Sequence, residues 1–152
     1  MKNDVKLAST LVIFYCVARL ALESWSLIFA QDPNLKIAAF AENWRLKSSI
    51  TSAVTVLTGF TLVALVARRQ SILRILGLAT FSGFCLMNNY ATSLDIYFRH
   101  PPGDGSLASA AAMWWRLHSF HTWFHIPSIL FLATSTILLS TSAFKLQVRR
   151  LA

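Results

Sequence analysis

Residues 49–67 and 75–94 contain no Asp, Glu, Lys or Arg at any position. A helix over either stretch, rising about 1.5 Å per residue, crosses the roughly 30 Å of a bilayer's hydrocarbon. Backbone N–H and C=O groups in lipid find no water, so a crossing segment must satisfy them within itself, as a helix does. A third stretch, 121–144, carries no charge beyond its histidines until Lys145. A fourth, 7–29, is interrupted by Arg19 and Glu23. Either charge alone costs roughly 3 kcal/mol at the centre of a lipid-embedded helix. Their i, i+4 spacing lets them face one another, turned toward the interior of a bundle or toward a water-filled cavity.

Composition agrees with four crossings. Hydrophobic residues make up 55% of the chain and charged residues 13%, too apolar a balance for a soluble domain of this length. The expected fold is all-α, an integral membrane bundle of four antiparallel transmembrane helices in a single domain over 1–152. A secretory signal is not expected, because the first apolar segment is over-long and contains both charges.

The formal net charge is +8, and topology accounts for it without nucleic acid. Lys2, Lys6, Arg68, Arg69, Arg74, Lys145, Arg149 and Arg150 fall on the side holding both termini and the second loop. Lys36, Arg45, Lys47, Arg99 and Arg116 fall on the other, with Asp32, Glu42, Asp95 and Asp104. The bias predicts cytoplasmic termini. Cys16 and Cys85 lie inside predicted spans with no CxxC spacing, which fits buried small apolar side chains and no disulfide framework.

The connections carry their own signals. Leu35, Ile37, Ala38, Phe40, Ala41 and Trp44 alternate with polar residues up to Lys47, as in a short interfacial helix anchored by Trp44. The run His100-Pro101-Pro102-Gly103-Asp104-Gly105-Ser106 disfavours helix. Residues 107–113 favour it again, so the last helix is expected to begin outside the membrane. Pro127 frees the carbonyl of Trp123 and either kinks the fourth span or is an ordinary membrane-helix proline.

Polar groups from three spans converge on the end away from the termini. Arg19 and Glu23 come from the first, Asn88, Thr92 and Asp95 from the third at i, i+4, i+7, and His118, His121 and His125 from the start of the fourth. At about 100° per residue the three histidines share one side of a helix. Such groups in lipid face a cavity or each other. One reading is a hydrogen-bonded bundle core, in which Asn88, Asn89 and Thr92 join helices. A second is proton transfer by one imidazole, oriented by Glu23 or Asp95, with Arg116 or Arg19 steadying an oxyanion. A third is a metal or haem site using two or three of the histidines with Glu23 or Asp95. Trp25, Tyr90, Tyr97, Trp114, Trp115, Phe120, Trp123 and Phe124 suit a flat aromatic ligand or a membrane aromatic belt equally.

The run Trp114-Trp115-Arg116-Leu117-His118-Ser119-Phe120-His121-Thr122-Trp123-Phe124 resembles the opening of the last helix in a family of small four-span membrane proteins that includes the fungal anthrone oxygenases. That pattern reads Trp-x-x-Leu-His-x-x-Arg-Ser/Thr. Trp114, Leu117, His118 and Thr122 match it, and His121 occupies the Arg position. The family's Thr-Asn motif at the end of the third span has a loose counterpart in Asn88-Asn89-Tyr90-Ala91-Thr92. The resemblance covers the C-terminal third.

It implies a membrane monooxygenase of secondary metabolism that turns a reduced tricyclic phenol into a quinone with dioxygen and no bound cofactor or metal. His118 would then be the base, with His121 steadying the anion. From the polar convergence and nearby aromatics rather than from the resemblance, Glu23 is expected to assist the base, and Arg19, Asn88, Thr92, Asp95, Trp114 and Arg116 to line the substrate. The expected partners are a lipophilic substrate, dioxygen and membrane lipids. A homo-oligomer or a separate membrane partner is compatible with such a bundle. The alternatives are a non-catalytic membrane subunit or accessory protein, and a metal- or haem-binding membrane protein.

Overall fold

The computed structural model describes residues 2–29, 38–68, 70–99 and 120–152, with helix side chains described for 2–24, 49–68, 72–94 and 124–151. The described residues form four helices and no strand: α1 (Lys2–Phe29), α2 (Ala38–Arg68), α3 (Ile72–Arg99) and α4 (Phe120–Leu151). All four are long and apolar enough to cross a membrane, over Lys2–Ser24, Ser49–Arg68, Ile72–Leu94 and Phe124–Leu151. The chain is therefore an all-α, multi-pass membrane bundle.

Cross-helix contacts fix its antiparallel sense. On α1 and α2, Arg19 meets Ser52 while Val5 shares a groove with Val66, so numbers rise along one helix as they fall along the other. Ser135 of α4 reaches the Ala8 carbonyl of α1, and Phe124 packs on Tyr15. On α2 and α3, Gly77 lies against Leu62 and Gly59 against Phe81. Each helix packs mainly on two others, α1 on α2 and α4, and α3 on α2 and α4, which closes a four-cornered bundle.

The packing follows the logic of a lipid solvent. Large apolar side chains such as Phe14, Leu57, Phe84, Met87, Leu130 and Phe144 face outward. The interior mixes Val12, Leu78, Leu132 and Leu139 with Ser82, Asn89, His125, Ser128 and Ser135. Small and hydroxylated residues let backbones approach, and interhelical hydrogen bonds contribute where lipid offers no hydrophobic drive between helices. Gly59 shows how close that approach is, since a Cβ there would stand 2.5 Å from Cys16 Sγ.

Three boundaries differ from expectation. Residues 38–47 do not form a separate interfacial helix but the first turns of α2, because nothing in that stretch breaks the helix before the apolar run begins. Helix α1 starts at Lys2, ahead of the apolar run expected from residue 7, with Lys2 and Lys6 exposed at its end, where long cationic side chains can reach polar surroundings. Helix α4 runs to Leu151, beyond the apolar run that ends at residue 144, with Arg149 and Arg150 in its last turn. Helix α4 continues through Pro127 as one element. The loop break at 100–106 and the helix expected over 107–113 lie outside the described residues.

Candidate functional site

Two polar networks occupy the bundle end farther from the termini. The first joins α1 to α2. Arg19 and Glu23 pair at 3.4 Å, as their i, i+4 spacing suggests, with side chains only 15% and 12% exposed. Ser52 completes the arrangement: Arg19 Nε donates to its Oγ at 3.0 Å, and that hydroxyl donates to Glu23 Oε1 at 2.8 Å. A hydroxyl both accepts and donates, so one buried serine satisfies the cation and the anion together.

The second network crosses the bundle. Asn89, fully buried on α3, donates from Nδ2 to Tyr15 Oη on α1 at 3.1 Å and to the Cys85 carbonyl at 2.8 Å. The carbonyl can only accept, which fixes the amide's orientation and turns Oδ1 toward α4. There it stands 2.7 Å from Nδ1 of His125, itself 3% exposed. Because Oδ1 can only accept, Nδ1 carries the hydrogen. In the neutral ring the basic nitrogen is therefore Nε2, an assignment set by Asn89 rather than by solvent.

Phe124 links the networks. Its ring lies 5.7 Å from that of Tyr15, 5.5 Å edge-on from the His125 imidazole, and 6.0 Å beneath the Arg19 guanidinium. An aromatic face so placed attracts the cation, by about 0.5–2 kcal/mol depending on desolvation. One turn on, Ser128 and Ser93 bond the carbonyls of Phe124 and Asn89, keeping their hydroxyls satisfied within their own helices.

Not all of the sequence-derived candidates gather here. Arg19 and Glu23 do, and so does His125. Asn88 is exposed, and Thr92 donates back to its carbonyl at 2.8 Å, so this part of the stripe faces away from the interior. The inward asparagine is its neighbour, one residue and about 100° around the helix. His121 lies in the first turn of α4 and Asp95 in the last part of α3, but their side chains are outside the described residues, as are His118, Trp114 and Arg116 altogether.

Phe124 is among the aromatic residues that the sequence places near the site, whereas Tyr15 and Ser52 are not read from sequence as parts of it. Tyr15 carried a signal, since it precedes Arg19 by one helical turn on the same face. Ser52 carried none. Cys16 and Cys85 are buried and free, as small apolar side chains would be. Among the described residues, no cluster of three or more His, Cys, Asp and Glu is placed to hold a metal ion.

No protein-family model matches the chain. Neither characterised proteins nor solved structures show a match to it.

Proposed function

We propose that this bundle is a small membrane oxygenase, or a related tailoring enzyme, acting on a lipophilic aromatic substrate of anthrone type. The observation that carries the reading is the 2.7 Å contact from His125 Nδ1 to Asn89 Oδ1. A general base needs an imidazole held in one tautomer, and Asn89 supplies that hold at Nδ1. The resemblance of residues 114–124 to the anthrone oxygenases supplies the substrate class and reaction. That resemblance gives the base's role to His118, with His121 steadying the anion; His125 has no counterpart in it and is put forward on the Asn89 contact, with His118 and His121 as its proposed partners in moving the proton.

The chemistry balances with dioxygen as the only oxidant. The imidazole removes a proton from the acidic methylene between two aromatic rings, and the carbanion transfers its electrons to dioxygen, forming a C–O bond. The peroxide takes a proton to become a hydroperoxide. Loss of the remaining C–H proton and breakage of the O–O bond release water and leave the ketone. Arg19, held over Phe124, provides positive charge for the phenolate that develops, while Glu23 and Ser52 position Arg19. Asp95, Trp114 and Arg116 are proposed to complete the substrate's surroundings. With both termini cytoplasmic, as the charge bias suggests, the site lies toward the opposite face.

The test is anthrone oxidation by membranes containing the full chain, followed as dioxygen uptake and quinone absorbance. His125→Ala is expected to lower the rate by about 10²–10⁴-fold while the protein still accumulates in membranes. Full activity of that variant overturns the assignment of the base, and inactivity of the wild-type chain toward any such substrate overturns the reaction.

A second reading, a non-catalytic membrane subunit, is favoured by the mutual satisfaction of Arg19, Ser52 and Glu23. It requires a stoichiometric membrane partner that co-purifies with the chain.

A further inference from the structure

The opposite end of the bundle carries a groove that the proposed activity does not use. Between α1 and α2, Val5, Ser9, Val63 and Val66 wall a cavity of ≈ 330 Å³, with Lys6 and Gln70 also lining it. Val5 and Val66 are buried at its floor, whereas Lys6 and Ala67 are exposed. Both walls belong to membrane-crossing segments, so the groove's natural contents are drawn from the bilayer.

Charge narrows the choice. Lys2, Lys6 and Arg68 belong to the same two helix ends, and Arg74, Lys145, Arg149 and Arg150 belong to the same end of the bundle. Asp4 is the only described acid there. A phosphate diester at the groove meets the Lys6 ammonium, Gln70 adds an amide donor, and Arg68, one residue past the lining Ala67, adds to the positive field. The valine wall suits the first carbons of an acyl chain. A zwitterionic headgroup would bring its own cation into this belt, and inorganic phosphate would leave the apolar wall uncovered.

We propose that the α1–α2 groove binds one anionic phospholipid, its phosphate held by Lys6 and Gln70 and an acyl chain laid along Val63 and Ala67. The site is independent of the buried polar networks, which lie at the other end. Each cation near an anionic membrane surface contributes a factor of about five in lipid affinity. A cation that touches a seated headgroup contributes at least that, whereas one elsewhere on the end contributes little to the retained molecule.

The test uses the full chain purified in detergent, stripped of lipid and exchanged into nanodiscs of phosphatidylglycerol or phosphatidylcholine. Native mass spectrometry then counts retained lipids. One phosphatidylglycerol per chain is expected, with phosphatidylcholine lost. Lys6→Ala should cut its affinity about five-fold or more. Ala67→Trp, an exposed substitution that obstructs the groove without entering the core, should abolish retention. Arg149→Ala, at the same end on α4, should leave it unchanged.

Equal retention of the two lipids overturns the proposal. So does equal sensitivity to Lys6→Ala and Arg149→Ala, which marks a diffuse surface potential. A lipid-free dimer that loses its pairing with Ala67→Trp overturns it in favour of a second copy in the groove.

Discussion

Asn89 on α3 holds His125 on α4 through a 2.7 Å hydrogen bond whose direction is set by a third group, the Cys85 carbonyl that takes the amide's other end. Three helices are joined at this point, because the same amide also donates to Tyr15 on α1. The network therefore has two separable consequences: it orients an imidazole, and it locks helix to helix.

The locking has a measurable size. Interhelical hydrogen bonds in membrane proteins are worth about 0.6 kcal/mol on average and up to about 1.7. Asn89→Ala removes the bonds to Tyr15 and His125 together, so a loss of roughly 1–3 kcal/mol is expected in unfolding followed by circular dichroism in mixed micelles. Asn88→Ala, on the exposed side of the same turn, should change stability by under about 0.5 kcal/mol. Equal losses from the two substitutions would contradict the inward placement of Asn89.

The Arg19–Ser52–Glu23 arrangement leads to a different pattern, in which one substitution is worse than two. Glu23→Gln leaves the Arg19 cation in the bundle without its counter-charge, at a cost of roughly 2–4 kcal/mol. The double variant Arg19→Met with Glu23→Leu removes both charges and should recover most of that loss. Thermal unfolding of the two variants in the same detergent distinguishes the outcomes. Additive losses would show that the pair is solvated rather than mutually neutralised.

How much of this was legible in the sequence depends on which physical rule leaves a linear trace. The charge-free runs 49–67 and 75–94 are such a trace, because lipid forbids unpaired charge along the whole segment, and both lie in observed spans. The spacing of Arg19 and Glu23 is another, since helical neighbours are fixed by sequence separation. On α3 the buried positions Ile75, Leu78, Ser82, Cys85, Asn89 and Ser93 recur every three or four residues. That series includes Asn89 and excludes Asn88, but two adjacent asparagines obscure it when polarity alone is used to draw the stripe. Ser52 is of another kind. A serine in an apolar helix is unremarkable until α1 is packed against it, so its role exists only in three dimensions. The separate interfacial helix expected near 35–47 failed because amphipathic patterning says a segment is helical without saying where one helix ends and the next begins.

Gly59 gives a prediction about approach rather than bonding. A methyl group there would stand 2.5 Å from Cys16 Sγ and 3.1 Å from two carbons of Phe81, so the α1–α2–α3 contact must shift to admit it. Gly59→Ala should cost about 1–3 kcal/mol. Adding Cys16→Ala removes the nearest atom and should return part of the loss, which a double-mutant cycle reads directly. Gly77→Ala meets only Leu62 Cδ2 at 3.6 Å, ordinary contact, and should be neutral or slightly stabilising. A neutral Gly59→Ala would mean that α1 and α2 are farther apart than described.

Ser142 offers the opposite sign, a substitution that stabilises. Its hydroxyl is buried without a hydrogen-bond partner, whereas Ser128, Ser135 and Thr136 on the same helix each donate to the carbonyl one turn back. The equivalent acceptor for Ser142 is the Leu138 carbonyl, and the Thr141 hydroxyl already reaches it at 3.1 Å while also bonding Ile137 at 2.9 Å. Ser142→Ala removes an unsatisfied buried group and adds the better helix former, so a gain of about 1–2 kcal/mol is expected. In a Thr141→Ala background the Leu138 carbonyl becomes accessible to Ser142, and the same substitution should gain only about 0.5 kcal/mol, the difference in helix propensity. Unfolding midpoints of the four proteins in the cycle decide it. A gain of the same size in both backgrounds would show that Thr141 does not control the orphaned hydroxyl.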